Sequence, residues 1–168
     1  MEPDRKRGAR ALDALSVAIA TAGGVGYAPV APGTFGTAVA VPIAWIVAGA
    51  PQWGYLAFCV GVTALAIWAA GRANRVFGEH DAGRIVIDEV AGFLCTMAPV
   101  DRANWVLLAA GFVLFRAADI GKPPPARWID RKMHGGAGVV LDDVVAGLWA
   151  ALALWALDRS GWLRSLYG

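Results

Sequence analysis

No aspartate, glutamate, lysine or arginine occurs from residue 14 to residue 71. A charge-free tract of that length is too long for one buried core element, and it constrains the chain towards a bilayer. Within it, residues 56–70 are almost wholly apolar. With residues 53–55 in front, they approach the roughly 20 residues a helix needs to cross ~30 Å of hydrocarbon. The rest of the chain agrees, at 58% hydrophobic and 17% charged residues and a mean hydropathy of +0.53. One membrane-embedded domain is expected over 1–168, with a basic N-terminal segment at 1–20 and a core at 21–158.

Several classes fall away on composition. A net charge of +2 without a basic patch interleaved with aromatics argues against nucleic acid. Cys59 and Cys95 stand in apolar stretches and read as small hydrophobes, not as a disulfide framework. Arg5, Lys6, Arg7 and Arg10 make the N-terminus basic, but Gly23, Gly24, Pro29 and Pro32 interrupt the stretch after it, unlike a cleaved signal peptide.

Residues 11–22 suit a short amphipathic helix carrying Asp13, and residues 23–37 a loop rich in glycine and proline. Apolar segments come next at 38–50, 53–70, 90–100, 103–115 and 144–157, about four to five apolar helices in all. Trp45, Trp53, Trp105, Trp149, Trp155 and Trp162 lie near segment ends, as interfacial anchors do. The positive-inside rule keeps the N-terminus cytoplasmic. If 38–50 pairs with 53–70, and 90–100 with 103–115 across a far turn at Asp101 and Arg102, the other charges return to the cytoplasmic side. The glycine loop, Asp81, Asp88, Glu89, Arg116, Asp119, Lys122, Asp130, Asp142 and Asp143 then share one face.

Asp88-Glu89 and Asp142-Asp143 each precede an apolar run, where acids ordinarily cap helix N-termini and complement the dipole. Each pair has one acid more than a cap requires, and Asp119 ends a third segment within the same group. Gly92 and Gly147, a turn further on, permit close helix packing that draws the acidic ends together. Acids gathered this way repel unless a cation neutralises them. An all-oxygen set suits Mg²⁺, which keeps waters and binds substrate phosphate. Zinc suits it less, because His80 and His134 stand singly and neither cysteine is near the acids.

The loop Gly23-Gly-Val-Gly-Tyr-Ala-Pro-Val-Ala-Pro-Gly-Thr-Phe-Gly-Thr37 offers backbone N–H groups and the hydroxyls of Thr34 and Thr37 to an anion, with Gly33 and Gly36 allowing close approach. It lacks the Gly-Lys-[Ser/Thr] of a Walker A loop, and a plain connector is the competing explanation. Arg116 and Lys122 flank Asp119 as phosphate ligands, while Arg127, Arg131 and Lys132 read as ordinary positive-inside residues. Pro123 to Pro125 stiffen the chain beyond Lys122, and Gly135-Gly136-Ala-Gly138 suits a second tight turn. His134 reads as a solvated loop histidine.

Four stretches resemble the phosphatidylglycerophosphatase A family of bacterial inner-membrane lipid phosphatases. They are Gly26-Tyr-Ala-Pro-Val-Ala-Pro-Gly-Thr-Phe-Gly-Thr37; Asp81 through Ile85-Val-Ile-Asp-Glu-Val-Ala-Gly92; Phe115-Arg-Ala-Ala-Asp-Ile-Gly-Lys-Pro-Pro-Pro125; and Ile129-Asp130 through Leu141-Asp-Asp-Val-Val-Ala-Gly147. They keep the family's order across most of residues 21–150. Ala118 departs from the family's usual bulky residue before Asp119, which bears on packing alone.

The resemblance implies an all-α, multi-pass protein of the cytoplasmic membrane that hydrolyses phosphatidylglycerophosphate to phosphatidylglycerol and phosphate with Mg²⁺. On that basis Asp88, Glu89, Asp119, Asp142 and Asp143 are expected to hold metal. Asp88, Asp119, Asp142 and Lys122 are expected to be catalytic, with Asp81 or Asp130 handling protons. Gly33, Thr34, Gly36, Thr37, Arg116 and Lys122 are expected to bind the phosphoryl group. The attacking group is either water or an aspartate that becomes an aspartyl-phosphate, since aspartate serves both ways. The competing class is a membrane cation carrier or channel, which would carry its acids deep within the spans. A lipid phosphotransferase and a purely structural subunit fit the spacing less well.

Overall fold

The computed structural model describes residues 2–79 and 81–166, without the side chains of residues 2–7 and Arg164. His80 and the side chains of Arg5, Lys6 and Arg7 therefore lie outside the described set. Among the described residues there are seven α-helices and no strand. They are α1 (Glu2–Ala20), α2 (Pro32–Ile46), α3 (Gln52–Phe77), α4 (Ile87–Thr96), α5 (Trp105–Gly121), α6 (Ala126–Lys132) and α7 (Gly135–Arg159), with 3₁₀ turns at Val25–Tyr27 and Arg164–Leu166.

Local chemistry sets the boundaries. α1 begins well before the expected residue 11 and stops where Gly23 and Gly24 take φ of 70° and 102°, a left-handed region that glycine enters without steric cost. Pro32 opens α2, where its missing N–H is no loss. Part of the expected glycine loop is consequently helical: Gly33, Thr34, Gly36 and Thr37 occupy the first two turns of α2. Asn104 caps α5 by accepting from Val106 N at 2.9 Å and Leu107 N at 3.3 Å.

α7 also starts earlier than its apolar run. Only Gly135, at φ 75°, makes a turn, and Gly136 and Gly138 continue as helix. Close packing explains them: a Cβ on Gly136 would collide with Ile67 O, and one on Gly138 would lie 2.7 Å from Met133 C. Asp142 and Asp143 thus lie about 10 Å into a helix at 1.5 Å per residue, instead of at its start.

α3 and α7 are the described helices long and apolar enough to cross a membrane; α2 is a shorter apolar helix. α4 has 10 residues, about 15 Å, and crosses no bilayer unaided. Two candidate spans therefore stand where about four to five apolar helices were expected.

α7 runs through the middle, packed on α3, α4, α5 and α6. The α2–α3 and α4–α5 hairpins turn at the same end. There Gln52 Nε2 donates to Ala98 O at 2.9 Å. Arg102 donates to Gln52 Oε1 at 3.2 Å and to Ala50 O at 3.2 Å, and its guanidinium stacks 4.1 Å from the Tyr55 ring centroid. Tyr55, fully buried, donates its hydroxyl to Leu94 O at 2.8 Å. The other end carries the start of α4, the end of α5 and the first third of α7.

Candidate active site

The close approach of α4 and α7 sets the geometry at that end. A Cβ on Gly147 would collide with Gly92 O, and one on Gly92 would lie 2.6 Å from Asp143 O and 2.7 Å from Phe115 Cζ. Two helices whose backbones touch bring their acids together. Asp88 and Glu89, in the first turn of α4, and Asp143 on α7 each offer a carboxylate oxygen, all within 4.8 Å of one another. Asp88 and Asp143 are 8% and 5% exposed. Asp88 Oδ1 and Glu89 Oε2 are buried without a hydrogen-bond partner.

Buried carboxylates so close resist ionising together. Burial, with Glu89 and Asp143 as like charges beside it, pushes the Asp88 carboxyl well above its usual range. Burial also raises Glu89, against the opposing hydrogen bond of Asp88 and in concert with the Asp119 charge, while Arg116 pulls it back. Orphaned, buried, oxygen-only donors are what a hard divalent cation satisfies, so these residues fit Mg²⁺.

The other two acids of the expected metal set stand beside cations. Asp119 lies 2.5 Å from Arg116 Nη1, which is 3.7 Å from Glu89 Oε1. Lys122 Nζ donates to Asp130 Oδ1 at 2.5 Å and Asp142 Oδ2 at 2.7 Å. Partial burial works against the Lys122 ammonium, but the bonds to Asp130 and Asp142 outweigh it and raise its pKa. The amine is held charged.

All these groups except Asp130 line one polar cavity of about 290 Å³, together with Ala31, Pro32, Gly33, Asp81, Gly83, Ile85 and Val139. Of the glycine-loop residues, Gly33 reaches the cavity, where a Cβ would sit against the Glu89 carboxylate. Gly36 instead packs on Val86, whose side chain a Cβ would meet at 2.7 Å. Thr37 is fully buried, with its hydroxyl donating to Gly33 O at 2.9 Å. Thr34 lies on the same first turn and is outside the cavity lining.

Sequence inspection missed the backbone of this cavity. Ala31, Asp81 and Lys122 have φ of 48°, 54° and 44°, a strained region for residues with a Cβ. All three line the cavity, and strain of this kind concentrates at functional sites. Lys122-Pro123 gives no forewarning, since a residue before proline favours extended backbone.

The family model described as Phosphatidylglycerophosphatase A matches residues 18–158. Phosphatidylglycerophosphatase A of Escherichia coli K12 is 37% identical over 141 residues, covering 81% of this chain and 79% of its own. The Haemophilus influenzae protein of the same name is 34% identical over 104 residues, 62% of this chain and 64% of its own. A Bacteroides thetaiotaomicron protein named as a candidate phosphatidylinositol-3-phosphatase is 38% identical over 156 residues, 85% of this chain and 96% of its own. No solved structure matches.

Proposed function

The chain belongs to the phosphatidylglycerophosphatase A family of phosphatase enzymes, and from that premise we propose that it hydrolyses the terminal phosphomonoester of phosphatidylglycerophosphate at the cytoplasmic face of a bacterial inner membrane. The observation that carries the proposal is the cavity itself, in which an oxygen-only acid triad faces Lys122 and Arg116. Acids alone would repel a phosphate, and cations alone would bind it without activating a nucleophile.

Asp88, Glu89 and Asp143 would hold Mg²⁺, with Asp119 and Asp142 beside them. When bound, Mg²⁺ supplies charge neutralisation at phosphoryl oxygens and a more acidic water. Lys122 and Arg116 bind the phosphoryl oxygens and stabilise the charge that develops during transfer. Asp130 and Asp142 hold the Lys122 ammonium in place. Asp81, at the exposed rim of the cavity, suits proton handling better than Asp130, which is committed to Lys122. The new P–O bond forms as the bond to the glycerol oxygen breaks, and that oxygen leaves with a proton.

Membrane residence is supported by the outer surface. Only 28% of the apolar window of α3 is buried inside the molecule, and exposed apolar surface on that scale needs a partner or lipid. Exposed Trp45, Trp53, Trp105, Trp155 and Trp162 gather towards the end opposite the cavity, as an interfacial belt does. Arg72, Arg75, Arg84, Arg116, Lys122, Arg127, Arg131 and Lys132 stand at the cavity end, which is the cytoplasmic one by the positive-inside rule. A cation carrier is not favoured, because the acids cluster at one end and Arg102 with Tyr55 closes the other.

The name of the Bacteroides relative supports a second substrate of the same class. Phosphatidylglycerophosphate and phosphatidylinositol 3-phosphate both carry a phosphomonoester on a polyol that a phosphodiester joins to diacylglycerol. The test is phosphate release from each lipid by purified protein in detergent, with Mg²⁺ and with EDTA. Mg²⁺-dependent release preferring phosphatidylglycerophosphate is expected, and no release from either lipid by folded protein would sink the proposal.

A further inference from the structure

Beside the acid cavity lies a cationic shelf that the hydrolytic groups leave unused. α6 is a seven-residue helix with the sequence Ala-Arg-Trp-Ile-Asp-Arg-Lys. Its Arg127 and Arg131 are four residues apart, as are Trp128 and Lys132, so the two pairs form adjoining rows on one broad face. All four are exposed. With Pro124 they line a second cavity of about 320 Å³. The one acid in α6, Asp130, reaches away from that face to Lys122, so among the described residues no ion pair neutralises the three cations.

The shelf is tied to the active site at two points. Asp130 holds Lys122, and Arg127 Nη2 donates to Gly121 O at 3.2 Å, next to Lys122 in the chain. A guanidinium carries five N–H donors, so this bond orients the Arg127 fork while leaving donors for an anion. Trp149 Nε1 donates to Pro124 O at 2.9 Å, fixing the turn between Lys122 and the shelf against α7.

We infer that α6 binds the second phosphate of the substrate, the phosphodiester that joins its polyol headgroup to diacylglycerol, while the terminal phosphomonoester occupies the acid cavity. The inference rests on the lipid phosphatase reading above and adds what makes the enzyme read its substrate as a doubly phosphorylated lipid. Charge complementarity selects this occupant. A phosphodiester is a permanent anion, forked arginines suit its oxygens, and Trp128 beside them suits the headgroup level of a membrane. The polyol bridges the two sites across the Lys122–Pro125 turn.

The test is steady-state kinetics on phosphatidylglycerophosphate in neutral detergent micelles with Mg²⁺. The variants are the double change Arg127→Gln/Arg131→Gln, the charge-retaining Arg127→Lys/Arg131→Lys, and Arg75→Gln as an exposed cation away from the shelf. KM should rise about tenfold or more in the glutamine pair, which loses two charge-assisted contacts, while kcat falls less than twofold. The lysine pair, which keeps the charge without the fork, should recover part of the loss, and Arg75→Gln should leave KM within twofold of wild type.

An unchanged KM in the glutamine pair, or an equal rise in Arg75→Gln, overturns the inference while leaving the phosphatase reading intact. No phosphate release by folded wild type overturns that reading and the inference with it. Thermal midpoints matching wild type establish that the variants are folded.

Discussion

Asp13 and Arg72, the two charges that bracket the uncharged tract, are bonded to each other, with Arg72 Nε donating to Asp13 Oδ1 at 2.8 Å. The chain that departs after Asp13 therefore returns beside it at Arg72, and the α2–α3 excursion between them is closed at the cavity end. Arg72 Nη2 adds a bond to Ala9 O at 3.1 Å. Cysteines placed at Gly78 and at Asp101 should accordingly label from opposite sides of the membrane, in a background lacking Cys59 and Cys95. Labelling of both from one side would refute the proposed topology.

Asparagine in place of Asp88, Asp142 or Asp143 should reduce turnover about 100-fold or more, the scale seen when one preorganised charge is lost. Asp88→Asn and Asp143→Asn should not lower the thermal midpoint in EDTA, because each removes a like charge from a buried triad. Near-normal turnover in all three would end their assignment.

Stability without metal should fall as pH rises. The Asp88 and Glu89 carboxyls have pKa values raised in the fold, so the folded protein holds their protons more tightly than the unfolded chain. Their contribution is complete below the unfolded carboxyl range of about 4 and is lost as pH rises through the higher folded values. Mg²⁺ competes with those protons and favours the ionised groups. Thermal scans at pH 5 and pH 8 should show a larger Mg²⁺-induced rise in midpoint at pH 8, and equal rises would contradict the triad as its ligands.

Gly33→Ala and Gly147→Ala should fail in different ways. At Gly33 the added Cβ meets the end of the flexible Glu89 side chain, with Cδ at 3.0 Å, whereas at Gly147 it meets the Gly92 backbone, whose Cα is at 3.2 Å. The first should reduce turnover with little change in thermal midpoint. The second should destabilise by about 1–3 kcal/mol, the range for overpacking, and lose activity as the acids separate. Matching stability losses in the two would refute the distinction.

Arg102→Ala should destabilise by about 2–4 kcal/mol, since charged hydrogen bonds contribute roughly 1.5–3 kcal/mol each when buried groups depend on them. Turnover per folded molecule should remain near wild type, because the residue is at the end remote from the acids. Arg102→Lys should recover only part of the stability, having no planar fork to reach both Gln52 and Ala50.

The features legible in the sequence came from local pattern. Acids set directly before apolar runs, each with a glycine a turn later, announced that the pairs Asp88-Glu89 and Asp142-Asp143 would converge, and of these Asp88, Glu89 and Asp143 offer oxygens within 4.8 Å of one another. The start of α7 was illegible because Gly136 and Gly138 look like turn residues until Ile67 O and Met133 are seen against them. The Arg116–Asp119 pair follows their i,i+3 spacing on α5, whereas the contacts of Arg116 with Glu89 and of Lys122 with Asp142 depend on reach between helices, which spacing along the chain does not encode. Arg102 looked like an ordinary charge in a far turn, and its stacking on Tyr55 depends on two hairpins meeting. The cations of α6 matched the positive-inside rule so well that their common face passed unnoticed.

The Arg102 junction has a mechanical consequence. The hairpins are fastened at their tips by Arg102 and Gln52, and the α2–α3 hairpin is closed again at its base by Asp13 and Arg72, so it is pinned at both ends like a spanned beam. Gln52 and Ala98 are tied at the far tips, while the opening turns of α2 and α4 meet through Gly36 against Val86 and Gly33 against Glu89. A lipid headgroup arriving at Gly33 and Glu89 therefore meets cavity walls that are braced from the far tips as well as from the near base.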